Sequence, residues 1–544
     1  MDFKRLIIAI GLLILAMTIA FSMGCQNQPT APRLEEIKTQ SDTKTRPSCS
    51  INFSNLRQSI RGFGGMNHPR WVGSLSDAEV DRAYGAGSGQ IGFTLLRIDI
   101  PPNSGNWSAE VSAAKRAKSH GAIVFASPWS PPASMKTNNN TTGGELRADA
   151  YGDYANHLRD FADYMSSNGV SLYAISVQNE PDYVPNYESC GWSTTQMRNF
   201  LDNYASVIPV RIVAPETTQP KNDWYGALSS SSELDILATH LYGGSPTSYN
   251  SSKENWMTEH LENNTSWSGA LATGKEIHDC MVNNYSAYIW WYIRRSYGPL
   301  DESGNVSKRG YVMSHFSRFV RPGYTRVDAT SSPATGVSVS AYTDGGTLVI
   351  VAINQSSSPS SITFNLSGGQ VNSFTKYETT NGSNVSNVGS VSAGSTMTNS
   401  LAASSISTFV GSINGGSGST TTTSGGYTTT TTSGGWSTTT SGATTSSTTT
   451  TSGSSWWGGG SWWGSTTTTA AFTTTTTSGG WTTTTSGTTT SGTTTTSGST
   501  WWGSTTTTVP ASTTTTAVFT TTTSGGYTTT TTSGGTWWGG GSWW

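Results

Sequence analysis

The sequence predicts an α/β protein: a (β/α)8 TIM barrel carrying an attached β-sandwich side domain, followed by a low-complexity C-terminal tail. Three observations support this. Between residues 59 and 318, eight short apolar runs alternate with helix-patterned segments. After residue 320 the pattern turns to strict alternation broken by turns. From Gly415 to Trp544 there is no Asp, Glu, Lys, Arg or His, yet 12 of the 21 tryptophans lie there.

Taken in order, residues 1–25 read as a lipoprotein-type signal peptide. Lys4 and Arg5 precede an uncharged apolar run, and Phe21-Ser22-Met23-Gly24-Cys25 resembles a bacterial lipobox, with Cys25 as the lipidated residue. Leu6 to Cys25 is also long enough to be an uncleaved membrane anchor. Both readings export the rest of the chain, to the cell surface or outer membrane if lipidated and otherwise to the extracellular space. The polar, proline-containing stretch 26–48 reads as a flexible tether, and 49–58 as a first strand of the side domain.

The eight barrel strands are expected at 60–65, 94–100, 123–127, 173–177, 210–215, 236–241, 255–258 and 287–293. Several are continuously apolar, as strands buried on both faces should be. Helix signals lie between them. Ser76 and Glu79 form a capping-box pattern, as do Ser193 and Gln196. Tyr154, Leu158, Phe161 and Met165 fall on one stripe that ends at Asn168-Gly169. Eight β-then-α units over 59–318 fit a closed barrel, whose active site lies at the C-terminal ends of the strands. Residues 319–414 form the side domain, with a hairpin turning at Asp344-Gly345-Gly346. The repeats of 415–544 predict a disordered tract, with a stalk, a crude polysaccharide-binding segment or a functionless linker as its possible roles.

The charge balance, 30 basic and 32 acidic residues for a net −2, argues against a nucleic-acid binder. Cys49, Cys190 and Cys280 cannot form a closed disulfide framework; one bridge is possible, Cys190–Cys280 first. No cysteine pair has zinc-like spacing and no HExxH occurs, so neither a metal nor a cofactor is expected.

The strand ends carry the chemistry. Glu180 follows the fourth strand in Gln178-Asn179-Glu180-Pro181, and Glu259 ends the seventh in Trp256-Met257-Thr258-Glu259-His260. Two such carboxylates suit glycosidic cleavage, one as acid and one as nucleophile. Arg97 and Tyr242 stand at strand ends where they could keep Glu259 ionised. Trp129 and Trp291 are candidate sugar platforms, with core packing as the alternative reading. The glycine-rich 62–65 run lacks the lysine of a phosphate loop and reads as barrel floor.

These residues sit in dense motifs: GFGGMNHPRW, LLRIDI, SPWSPPASMK, SVQNEPDY, ATHLYGG, WMTEH and YIWWYIRRSYGP. Over residues 50 to about 413 the chain resembles glycoside hydrolase family 30, and within it the bacterial glucuronoxylanases. The resemblance implies Glu180 as acid/base and Glu259 as nucleophile, with Asn179 beside the acid. It implies an endo-cut in β-1,4-xylan guided by a methylglucuronate branch, by a monomer whose partner is the polysaccharide. For that branch Arg295 is preferred to Arg294. Trp291, Ile293, Arg295 and Tyr297 would share one side if the extended run continues. The loop Leu261–Trp267 departs from the family pattern, with no tyrosine and with an added anion, Glu262. It predicts a weaker preference for the branch. The competing readings are a branch-independent xylanase, another family 30 glycosidase, or a noncatalytic surface xylan-binding protein.

Overall fold

The computed structural model describes residues 46–414 and, beyond them, the backbone of six strands between Ser419 and Thr523. Cys25 and the signal-like segment lie outside the described residues.

Eight parallel strands close into a barrel: β2 (Gly62–Met66), β3 (Leu95–Asp99), β4 (Ile123–Ser127), β5 (Ala174–Ser176), β6 (Arg211–Thr217), β7 (Ile236–His240), β8 (Glu254–Glu259) and β9 (Tyr285–Trp290), with β9 pairing back onto β2. All eight expected strands are present. Their apolar continuity follows from burial on both faces. In β3, Leu95 points into the barrel with Phe125, Val213 and Trp256, while Leu96 and Ile98 pack outward in the helix-facing core. The helices over residues 77–84 and 194–204 both begin with the expected capping box. The predicted stripe of the helix Tyr151–Ser167 is fully buried at Tyr154, Leu158, Phe161 and Met165.

One of the eight expected β-then-α units is incomplete. Leu241 to Lys253, between β7 and β8, contains no helix. Its Gly, Pro and Ser content, LYGGSPTSYNSSK, explains this: too few apolar residues recur at helical spacing to hold a helix against the barrel.

The glycines of β2 are a packing requirement. A Cβ on Gly64 would stand 1.8 Å from the Leu95 carbonyl oxygen, a backbone atom of the next strand that cannot give way. Gly64→Ala is therefore expected to cost at least about 4 kcal/mol, at the upper end for single substitutions. Loss of the cooperative thermal transition or of soluble protein checks this.

The side domain is one sheet of ten strands, ordered β16-β15-β18-β12-β11-β10-β1-β13-β17 with β14 paired to β18. It comprises β1 (Ser48–Ser59), β10 (Thr325–Ala329), β11 (Val337–Thr343), β12 (Thr347–Asn354), β13 (Ser360–Ser367), β14 (Gln370–Val371), β15 (Ser373–Thr379), β16 (Ser386–Ser392), β17 (Thr396–Leu401) and β18 (Ser405–Asn414). The sheet wraps around its own core, so Ile51 and Phe364 meet Leu348, Ile350 and Phe409 as two sandwich layers would. β12 is buried on both faces. Leu348, Ile350 and Ala352 enter this core, whereas Val349, Val351 and Ile353 join the barrel's outer core. That double burial fixes the side domain to the barrel.

Cys190 and Cys280 form no bridge; with Cys49 they are free and buried, each serving as a small apolar side chain. In the C-terminal tract, where composition predicted disorder, the described backbone runs as strands. Ser419–Ser424 pairs with Tyr427–Thr432, and Trp436–Gly442, Trp462–Ser478, Trp481–Gly498 and Thr522–Thr523 form a four-stranded antiparallel sheet. Threonine is β-branched and favours extended backbone even where few apolar residues are available.

Candidate active site

The carboxylates at the barrel mouth are aimed by breaks in strand regularity. In β8, Met257 lies opposite Thr239 and Glu259 opposite His240, so Thr258 is an extra residue. Simple alternation from the inward Trp256 would turn Glu259 outward; the bulge turns it in. In β6, Pro215 lies opposite Ala238 and Thr217 opposite Thr239, so a third carboxylate, Glu216, occupies the bulge. Glu216 has φ 56° and Glu180 has φ 45°, conformations that non-glycine residues seldom adopt and that gather at functional sites.

The three carboxylates meet around two cations. An oxygen of Glu180, a ring nitrogen of His240 and an oxygen of Glu259 lie within 4.8 Å of one another. Arg97, fully buried, pairs with Glu259 and stands 3.1 Å from Glu216. It also donates to Asn179 Oδ1 at 2.7 Å and Ser127 Oγ at 3.1 Å. The Tyr242 hydroxyl donates to Glu259 Oε1 at 2.9 Å. His240 Nδ1 lies 3.0 Å from Glu180 Oε1, and its Nε2 lies 3.8 Å from Glu216.

This arrangement shifts the buried groups in different directions. Burial pushes the Glu180 carboxyl above its ordinary range; the His240 hydrogen bond opposes this, and the charge of Glu259 adds to it. Burial would also raise Glu216, but the Arg97 charge and the His240 contact hold it down at about 2. Burial would lower His240; the Glu259 charge and the bonds to Glu180 and Glu216 instead push it up to about 9. Burial and the Glu259 charge raise Tyr242 well above the usual phenol range, so it remains a donor. Arg97 and His240 thus favour the ionised form of Glu216, whereas burial favours the protonated form of Glu180.

Above the carboxylates opens a cleft of about 570 Å³, lined by Glu180, Glu259, Tyr242, Thr218, Leu261 and a set of aromatic rings. Trp129, Trp291 and Tyr292 form its floor as one buried cluster with Met66. Trp71, Tyr183 and Tyr187 line it at the lip, 37%, 50% and 41% exposed.

Of the residues expected from sequence, Glu180, Glu259, Tyr242, Trp129 and Trp291 line the cleft, with Arg97 and Asn179 buried around the carboxylates. The alternation argument for Arg295 does not hold. β9 ends at Trp290 and Tyr292 has φ 47°, so Trp291 and Tyr292 both face the cleft while Ile293 is buried in the outer core. Arg294 and Arg295 differ in their surroundings. Arg294 is locked by both oxygens of Glu79 at 2.9 Å and by the Val72 carbonyl. Arg295 is half-exposed, 3.5 Å from Glu302, and it and Tyr297 stand outside the cleft lining. Sequence reasoning missed Glu216, the role of His240, and the wall residues Trp71, Tyr183, Tyr187 and Tyr292. An acidic residue closing the apolar run Ile212–Pro215 was the available signal for Glu216.

Among the described residues, Glu180, His240 and Glu259 are the group close enough to hold a metal ion. Their atoms are already engaged with one another, Arg97 and Tyr242, and a divalent ion there would sit against the Arg97 guanidinium.

Comparison with known proteins adds an independent line. Residues 82–204 match the glycosyl hydrolase family 30 TIM-barrel domain. A glucuronoxylanase of Bacillus subtilis is 44% identical over 377 residues, covering 65% of this chain and 87% of that protein. The structure of a family 30 subfamily 8 xylanase from Clostridium acetobutylicum superposes with a TM-score of 0.63 at 37% identity, covering 67% of this chain and all of the other. A family 30 endoxylanase from Clostridium papyrosolvens gives 0.62 at 38%, with the same coverage.

Proposed function

Since the chain belongs to glycoside hydrolase family 30, we propose that it is a retaining endo-1,4-β-xylanase acting through Glu180 and Glu259. The observation that carries the mechanism is the approach of these two carboxylates to within 4.8 Å at the base of an aromatic cleft. That spacing is close to the ~5–5.5 Å of retaining enzymes and too short for a water between them, as inversion requires.

Glu180, whose carboxyl is pushed by burial above the ordinary range, protonates the glycosidic oxygen as the bond to the anomeric carbon breaks. Its Oε1 is engaged by His240, which leaves Oε2 for the substrate. The Glu259 carboxylate, oriented by Tyr242 and Arg97, attacks the anomeric carbon from the opposite face and forms a sugar ester. Glu180, now ionised, takes a proton from water, whose oxygen displaces Glu259. Two inversions give net retention. The aromatic walls suit the C–H faces of xylose units.

The methylglucuronate branch is read by Arg295, but weakly. Arg295 is half-exposed with Glu302 at 3.5 Å, and the short loop after Glu259 brings the anion Glu262 rather than extra donors. A branch-independent xylanase is the second reading, favoured by the same two features. The expected ratio of kcat/KM on glucuronoxylan to that on unbranched xylan is about tenfold or less, which corresponds to ~1.4 kcal/mol, falling toward unity in Arg295→Ala. A strict requirement for the branch overturns the weak-pocket reading. Reducing-sugar release by wild type, absent in Glu259→Gln, separates the enzyme from a noncatalytic binder.

Export with a lipid on Cys25 and a monomeric state complete the proposal, supported by the N-terminal pattern and the family likeness. Loss of lipid mass on the mature protein in Cys25→Ser checks the anchor.

A further inference from the structure

We propose that Arg70 and Glu188 form a positioning clamp that sets Trp71 and Tyr187 as the lip against which the polysaccharide stacks; this rests on the xylanase reading above. Each clamp residue is the chain neighbour of a wall residue. Arg70 precedes Trp71 in the short helix Pro69–Val72, and Glu188 follows Tyr187 in the irregular stretch after Glu180.

The Arg70 guanidinium holds both segments at once. Its Nη1 and Nη2 donate to the two oxygens of Glu188 at 2.9 and 2.6 Å. Its Nε and Nη2 donate to Asp99 Oδ2 at 2.8 and 2.5 Å. Asp99 is fully buried at the end of β3, so the clamp ties two segments to a barrel strand. Such a double fork needs the planar guanidinium; a lysine cannot reproduce it.

The helix Pro69–Val72 has no buried residue of its own; Val72 packs on the Trp129–Trp291 cluster and its carbonyl accepts from Arg294, and on the Trp71 side these polar contacts of Arg70 and side-chain stacking hold the helix. Trp71 stacks on the buried His68 at 4.2 Å and meets Tyr187 edge-on at 5.6 Å. Both rings are over a third exposed and both line the cleft with Glu180. Neither clamp residue lines that cleft. The clamp therefore acts on binding through the two rings and leaves the chemistry alone.

Glu188→Ala is the sharpest test, because it frees the lip without leaving Asp99 buried beside no cation, as Arg70→Ala would. KM for xylan is expected to rise about fivefold with kcat within about twofold, the scale of losing one ordered aromatic contact. Glu188→Gln should fall between wild type and Glu188→Ala. In a Trp71→Ala/Tyr187→Ala background, Glu188→Ala should change KM by less than about 1.5-fold, since two residues acting through one contact are non-additive. An unchanged KM in Glu188→Ala, or the full effect persisting without the rings, overturns the clamp. The wild type in the same assay reports on the parent reading. A wild type that releases no sugar from any xylan overturns both, and an active wild type with an insensitive KM overturns the clamp alone.

Discussion

Replacing Glu259 with glutamine is expected to lower kcat on xylan by on the order of 10⁴-fold or more, roughly 5 kcal/mol or more of transition-state stabilisation, with the fold intact. Glutamine keeps the shape and an oxygen for the Tyr242 hydrogen bond, but it cannot form the sugar ester. Glu180→Gln should behave differently. It removes the proton donor, and general acid catalysis contributes about 10²–10⁴-fold. That loss should appear on xylan and shrink on an aryl xyloside whose phenolate departs without a proton. Steady-state kinetics on both substrates, with circular dichroism to confirm folding, make the comparison. Equal losses on both substrates in Glu180→Gln would place Glu180 outside the acid role. The pH profile follows from the same assignment. Burial holds the Glu180 proton above the ordinary carboxyl range, so the alkaline limb of kcat/KM should lie above that range and disappear in Glu180→Gln.

The parts of this site that could be read from sequence are those that local pattern determines. The barrel strands were legible because two-sided burial makes them continuously apolar, and Glu180 and Glu259 because each follows such a run. What the sequence concealed arises where local periodicity is broken. Alternation from Val213 points Glu216 away from the mouth, and only the bulge opposite Ala238 and Thr239 brings it in. The same error misplaced the segment after Trp290. A continued strand would send Tyr292 outward and Ile293 inward, yet the left-handed Tyr292 reverses both. Trp71 was hidden differently. It lies in a four-residue helix whose Arg70 bonds to Asp99 and Glu188, residues remote in sequence. The missing helix between β7 and β8 was legible in its Gly, Pro and Ser content, but the regular count of eight units outweighed it.

Arg97→Met should be the most destabilising substitution at the site, by about 3–5 kcal/mol, because it leaves buried carboxylates without their counter-ion. Arg97 has no exposed surface and serves Glu216 and Glu259 together. Its loss should appear as a Tm lower by roughly 5–10 °C and as activity loss beyond that explained by unfolding. The pH dependence identifies the cause. Glu216 is held at about 2, below its ordinary 4.5. Its stabilising contribution, roughly 3 kcal/mol, is complete above pH 4.5 and is lost as pH falls toward 2. His240 is raised to about 9 from 6.5. Its contribution is complete below pH 6.5 and is lost as pH rises through 9. Both are therefore at full strength only between about pH 4.5 and 6.5, where this centre stabilises the wild type most. In Arg97→Met, burial acts on Glu216 with only His240 and the Ser127 and Ser176 hydroxyls opposing it, so protonating Glu216 relieves a buried charge instead of breaking its ion pair with Arg97. The variant's Tm should then fall less than the wild type's, or rise, as pH drops from 4.5 toward 3. A variant that tracks the wild type in parallel on the acid side would show that Arg97 is not what holds Glu216 ionised.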